Sequence, residues 1–301
     1  MKLMTVGTSS LEMAVEQTGP DNGDPIVLLH GFPYDPRCFD GVIERIDDGT
    51  RRILVPYLRG FGPTRYRSAH SFRSGQQAAL GNDVLELLDA LRLDRATLVG
   101  YDWGGRAAAV VAALWPHRVR GLVCADGYPI QNISTSSMMP GDVELEHQQW
   151  YQWYFNMERG RAGLEKNRKA IAEKLWRLWS PGWFDAKLFE REAQSFENPD
   201  FVATAIHSYR HRYGNTPGDP ALEPLERKLA EQPKITVPTI GFQGENDRVN
   251  PPSTSEGKEE MFTAHYERRL LPRVGHCAPQ EAPEAMAQII EDALRLTGSL
   301  G

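Results

Sequence analysis

The stretch "LVGYDWGGRAAAVVAALW", residues 98–115, decides how the chain is read. It opens as a short β-like run, closes as an alanine-rich helix former, and holds between them a turn of the form Gly-x-Asp-x-Gly. A sharp strand-to-helix turn strains the backbone of its central residue and crowds its neighbours. Gly100 and Gly104 make room there, and Asp102 is pushed out over the sheet edge. The N-terminus of the following helix, with the N–H of Trp103, then faces the reacting group and favours negative charge. The pattern alone is weakly specific; its setting between a buried strand and a helix gives it weight.

Outward from this turn the chain alternates between two patterns. "PIVLLHG", "RRILVPYLRG" and "ATLVGYD" are short, continuously apolar runs, as expected of parallel strands covered on both faces. "SGQQAALGNDVLELLDALRL" places Leu80, Val84, Leu87, Leu88 and Leu91 at helical spacing. The helix after Asp102 stops at Pro116, and "RVRGLVCAD" is the next strand. Residues 3–18 alternate in patches, and "TGPDNGDP" reads as a hairpin or loop between strands. After Asp126 the alternation breaks. Residues 127–234 hold five of the seven tryptophans, several helical patterns and no convincing strand. Strands resume in "KITVPTIGFQGEND" and "HYERRLLPRVGH", and "APEAMAQIIEDALRLTG" closes the chain as a helix. The expected fold is α/β, a mostly parallel central sheet flanked by helices. Residues 1–126 and 235–301 form its core domain, and residues 127–234 an inserted helical cap. A length of 301 residues suits this arrangement.

Composition narrows the function classes. A net charge of -6 without long blocks of one sign disfavours a nucleic-acid partner. Cys38, Cys124 and Cys277 show no metal spacing, and three cysteines fit a reducing compartment better than a disulfide scaffold. No apolar run has the length of a signal peptide core or a membrane span, so a cytoplasmic protein with no membrane partner is expected. HExxH, GxxxxGK[ST] and GxGxxG are all missing, which leaves no expected cofactor or metal.

Two residues later in the chain complete a chemistry for Asp102. Asp247 lies in "GENDRV" just after a strand, and His276 in "VGHCAPQ" after the last one, in the order nucleophile, acid, base. Asp126 and Glu245 compete with Asp247 for the acid position. His276 is one of eight histidines, and its place after the final strand is what singles it out.

With "HGFP" at 30–33, "LRGFG" at 58–62 and "DWGG" at 102–105, the sequence resembles the α/β-hydrolase superfamily and, within it, the epoxide hydrolases. The resemblance covers nearly the whole chain. It implies Asp102 as nucleophile, His276 as base, and an oxyanion site at the backbone N–H groups of Phe32 and Trp103, with His30 structural. An aspartate, with an ordinary pKa of about 4, is already ionised at neutral pH and suits displacement at saturated carbon. An alkyl ester on Asp102 would follow, to be cleaved by water that His276 deprotonates.

The leaving group then sets the helpers. An epoxide oxygen leaves as a basic alkoxide and needs a hydrogen-bond donor that is still protonated at neutral pH, which tyrosine supplies. "WYQWYFNMERG" resembles the epoxide hydrolase cap segment carrying one such tyrosine, matched by Tyr151, and "HSYRHRYG" the segment carrying the second, matched by Tyr209. Tyr154 and Tyr213 stand close enough in sequence to take either place. Gln152, Trp153 and Arg106 are candidate substrate-binding residues, with Trp150 also at the pocket and Trp176, Trp179 and Trp183 in the cap core. The expected partners are a small-molecule epoxide and water; a homodimer stays open.

Dehalogenases are the competing reading. The Trp103 indole could serve a halide, and Arg106 matches a carboxylate-clamping arginine of haloacid-type dehalogenases. Against them, Trp103 stands where that group carries a second arginine, Gln152 where it carries a halide-binding histidine, and Phe32 where haloalkane dehalogenases carry asparagine. A non-catalytic binding protein on the same fold would have no need of all these residues together. A serine esterase would need a Gly-x-Ser-x-Gly turn that the chain lacks.

Overall fold

A computed structural model describes residues 1–298, and its sheet runs through nine strands. These are β1 Lys2–Gly7, β2 Leu11–Thr18, β3 Pro25–Leu29, β4 Arg52–Pro56, β5 Arg65–Tyr66, β6 Ala96–Gly100, β7 Val119–Ala125, β8 Thr239–Gly244 and β9 Tyr266–Leu271. The order across the sheet is β1-β2-β4-β3-β6-β7-β8-β9, with β5 paired to β2. From β4 to β9 every neighbour is parallel, while β1, β2 and β5 pair antiparallel. Strands β3, β4, β6 and β8 are buried along their whole length, which is why the first three read as apolar runs.

Helices cover both faces. Helix α1 spans Asp40–Ile46, α2 Gln77–Ala90 and α3 Asp102–Leu114. Leu80, Val84, Leu87 and Leu88 are buried as their spacing requires, where α2 packs on α3. Between β7 and β8 come α4 Ile133–Ser136, α5 Val143–Gln148, α6 Trp150–Asn156, α7 Glu158–Trp179, α8 Ala186–Glu192, α9 Phe201–Arg212 and α10 Glu223–Ala230, with no strand among the described residues there. Helices α11 Ala278–Glu281 and α12 Pro283–Leu296 follow β9, and α12 packs on α1 and β7. Residues 299–301 of the second core segment lie outside the described residues.

Of the two readings of "TGPDNGDP" the loop holds, joining β2 to β3, and the hairpin turn falls at residues 8–10, between β1 and β2. The two-residue β5 is too short to show a pattern of its own.

Candidate active site

Parallel topology brings the candidate residues together, because every loop at the carboxyl edge of such a sheet opens on the same side. His30 and Phe32 follow β3, Asp102 follows β6, Asp126 follows β7, Asp247 follows β8 and His276 follows β9. The turn at Asp102 has the strain its sequence implied: φ is +50°, in the left-handed region that a non-glycine residue seldom adopts. Its glycines are sterically required. A Cβ on Gly100 would lie 2.4 Å from the Gly104 carbonyl oxygen, and one on Gly104 2.1 Å from that of Leu29.

One Asp102 oxygen, Oδ1, accepts a hydrogen bond of 2.7 Å from the Phe32 N–H. The other, Oδ2, faces His276 Nε2 at 3.7 Å. His276 Nδ1 is 2.8 Å from Asp247 Oδ2, and Asp247 Oδ1 accepts the N–H groups of Val249 and Asn250, each at 2.9 Å. Burial opposes ionisation of Asp102, but His276 and the N–H groups of Phe32 and Trp103 outweigh it and hold the carboxyl below its usual range. Burial likewise disfavours the imidazolium of His276. The Asp247 and Asp102 carboxylates reverse this and push it well above the ordinary histidine value.

The competing acids separate cleanly in space. Glu245 is exposed. Asp126 takes hydrogen bonds from Gln243 Nε2 at 3.0 Å and Asn250 Nδ2 at 2.8 Å rather than from His276, and burial followed by the Asp247 charge raises it to about 7. His30 is fully buried and accepts the Leu58 N–H at Nε2, 3.0 Å away, while Nδ1 faces the Gly31 carbonyl; burial lowers it to about 4. It ties two loops together as a neutral ring.

Across from Asp102 sit the two tyrosines. Tyr151, on α6, and Tyr209, on α9, are 2% and 1% exposed with rings 5.2 Å apart, and Tyr209 lies 5.5 Å from Phe32 and 6.1 Å from Trp103. Burial raises both phenols, helped at Tyr151 by Tyr209 and then Asp102 and at Tyr209 by the Asp102 charge, so both keep their protons. Their sequence competitors lie elsewhere. The Tyr154 hydroxyl sits against Gly163, and the Tyr213 hydroxyl donates to Gln152 Oε1 at 2.7 Å.

The structure refines the remaining sequence assignments. Gln152 is buried with its amide committed, donating to the Tyr151 hydroxyl at 3.0 Å while accepting from Tyr213, so it orients tyrosines instead of lining open space. Trp153 is 38% exposed, tilted against Tyr213 at 4.3 Å, and lines the cleft that Arg212 and Tyr213 also line, because α6 turns one face inward and Tyr151 and Phe155 occupy it. Trp179, expected in the cap core, packs 5.0 Å from the His276 ring, and the Trp176 indole N–H donates to the Pro33 carbonyl at 2.9 Å. Both lie at the C-terminal end of α7, which lands on the core; their spacing of three residues showed a shared helix face but not its partner. Trp150 packs on Tyr151 and Tyr154, and Trp183 beside Trp176. Arg106 donates to Gln131 Oε1 at 2.5 Å.

Among the described residues no helix is long and apolar enough to cross a membrane, and no group of three His, Cys, Asp or Glu could hold a metal ion.

Residues 24–283 match the family model for the alpha/beta hydrolase fold. The chain is 40% identical to a proposed epoxide hydrolase from Klebsiella pneumoniae of known crystal structure, with a TM-score of 0.94 and coverage of 98% of this chain and 97% of that one. It is 25% identical to the AB hydrolase superfamily protein YfhM of Bacillus subtilis over 98% of both chains. It is 23% identical to human epoxide hydrolase 4 over 90% of this chain and 72% of that one. A shorter match, 36% identical over 40% of each chain, is to a haloalkane dehalogenase of Mycolicibacterium paratuberculosis.

Proposed function

The chain belongs to the α/β-hydrolase fold family, and on that premise we propose that it is an epoxide hydrolase that adds water to an epoxide and releases a vicinal diol. The observation that carries the reading is the pair of buried tyrosines, Tyr151 and Tyr209, packed 5.2 Å apart among Phe32, Trp103 and Phe155, whose phenols feel the Asp102 charge and keep their protons.

In the first step Asp102 Oδ2 attacks a ring carbon, the carbon–oxygen bond breaks, and the departing alkoxide takes a proton from the tyrosine pair. Oδ1, on the Phe32 N–H, becomes the ester carbonyl oxygen. The ester has no charge, so the imidazole loses one of the two carboxylates that raised it, its affinity for a proton falls, and it releases its proton to solvent just when a base is needed, to take one up again once Asp102 is ionised anew. Neutral His276, oriented by Asp247, then takes a proton from water as the oxygen attacks the ester carbonyl. The oxyanion gathers the N–H groups of Phe32 and Trp103. On collapse, His276 returns its proton to the leaving alkoxide, and the regenerated acid at Asp102 gives its own back to the tyrosinate. The sum is epoxide plus water to diol.

One observation favours a second reading. The Trp103 indole N–H is buried beside Asp102 with no hydrogen-bond acceptor, a donor that a departing halide could use, which would make the chain a dehalogenase. Multiple turnovers of styrene oxide in oxygen-18 water, with fluoroacetate and a short haloalkane in parallel, separate the two. Diol together with label in the Asp102 peptide is expected; halide release without diol would overturn the epoxide assignment.

A further inference from the structure

Among the described residues, every arginine that is not exposed has a carboxylate within 4.0 Å, except two. Those two are Arg106 and Arg212. They come from separate parts of the chain, Arg106 one turn into α3 from Asp102 and Arg212 at the end of α9, three residues beyond Tyr209.

Arg212 opens on a cleft within the helical segment and Arg106 on one between that segment and the core. Arg212 lines a cleft of about 640 Å³ and Arg106 one of about 430 Å³, and the two clefts adjoin, sharing Gln131, Ser136 and Met139. The Arg212 guanidinium lies 5.1 Å from the centre of the Tyr209 ring. Arg106 has one hydrogen bond, to the neutral amide of Gln131, and its buried Nε has no partner. The acids on these clefts are engaged elsewhere, Asp126 with Gln243 and Asn250, and Glu146 with the Gly141 N–H. Burial and then the Arg212 charge lower Arg106 to about 9 although Asp102 and Asp126 pull the other way, and Arg212 is held up against its own burial by Tyr209, Tyr213, Tyr151 and Asp102; among the described residues no carboxylate lies within 4.0 Å of either.

A shielded guanidinium without an acid is costly unless something else supplies the negative charge. Its planar fork matches a carboxylate better than any other side chain does. We propose that Arg106 and Arg212 form a carboxylate-binding subsite, and that the substrate is an epoxide bearing a carboxylate that lies between them. The proposal rests on the epoxide reading for the reacting group and on the arginines alone for the anion. Neutral alkyl or aryl epoxides would leave both cations unmatched, so they are the poorer substrates.

The test compares diol formation from 3-phenylglycidate and from styrene oxide in the wild type, Arg212→Gln and Arg212→Lys. The wild type favours the carboxylate in kcat/KM. Arg212→Gln lowers the carboxylate-to-neutral ratio about 10- to 100-fold, mainly through KM, the range of a charged hydrogen bond, and Arg212→Lys recovers part of it. An unchanged ratio, or a wild-type preference for styrene oxide, overturns the proposal. Calorimetric binding of 3-phenylglycidate to Asp102→Asn, with and without Arg212→Gln, separates the two readings. Arg212-dependent binding with no diol from either epoxide in the wild type would sink the epoxide reading and keep the anion subsite. Binding that ignores Arg212 would sink the subsite whatever the chemistry.

Discussion

Replacing His276 with glutamine divides the proposed reaction at its midpoint. Alkylation needs an ionised Asp102, the tyrosine donors and no base; ester cleavage needs the base. Glutamine removes the cation 3.7 Å from Oδ2, so Asp102 loses part of what holds it ionised, but the Phe32 N–H at 2.7 Å and the Trp103 N–H remain. Asp102 therefore stays charged at pH 7 and the first half-reaction persists. The neighbouring titratable groups are committed elsewhere, His30 between Leu58 and Gly31 and Asp126 to Gln243 and Asn250. Loss of general-base assistance is worth about 10²- to 10⁴-fold, or about 3–5 kcal/mol of barrier in the second half-reaction. The expected result is a burst of epoxide consumption equal to the enzyme concentration, followed by turnover slowed by that factor. Rapid quench and intact-mass spectrometry would show a species heavier by one substrate, with the added mass on the Asp102 peptide and missing in Asp102→Asn. Steady turnover without a burst, or no adduct on the quench timescale, would refute the division of labour.

The tyrosines can be tested against the leaving group: Tyr151→Phe and Tyr209→Phe should each slow epoxide opening by about 10²- to 10³-fold, and displacement of a halide much less, in single-turnover assays of both substrates. The pH profiles should differ in a fixed direction. kcat/KM follows the free enzyme, where Asp102 is held low and the phenols are held high, so its acid limb lies below the ordinary carboxylate range and its alkaline limb above the ordinary phenol range. kcat needs neutral His276 in the ester, so activity is lost as pH falls through that pKa, and its acid limb must lie at the higher pH; coincident limbs would count against a base in the second step. Stability rests in part on a buried pair, Arg59 Nε and Nη2 each 2.6 Å from an Asp83 oxygen, with Nη1 on the Ser74 carbonyl at 2.8 Å. Asp83→Ala strands that cation in the core and should cost about 3–5 kcal/mol in urea unfolding.

The sequence by itself determined the parts of this protein that rest on local physics. Apolar runs at β3, β4 and β6 had to be buried strands, and the 3.6-residue spacing through α2 had to face a core. The glycines around Asp102 marked a turn that no side chain could share. The order of Asp102, Asp247 and His276 was legible too, because each stands one step past a strand, and parallel strands collect such residues at one edge.

What only tertiary structure decided was which residues of the helical segment reach that edge, and which way they face. Four tyrosines satisfied the same local pattern. Tyr209 packs on Phe32 and Trp103 and Tyr151 on Tyr209 and Trp179, while Tyr213 is held by Gln152, a choice made by the packing of α6 on α9. Trp179 against His276 depends on where the end of α7 lands. Arg106 and Arg212 stand more than a hundred residues apart, and no sequence period could show that neither has an acid beside it. Periodicity records which face of a helix is apolar; only the packing of helix on sheet determines what that face meets.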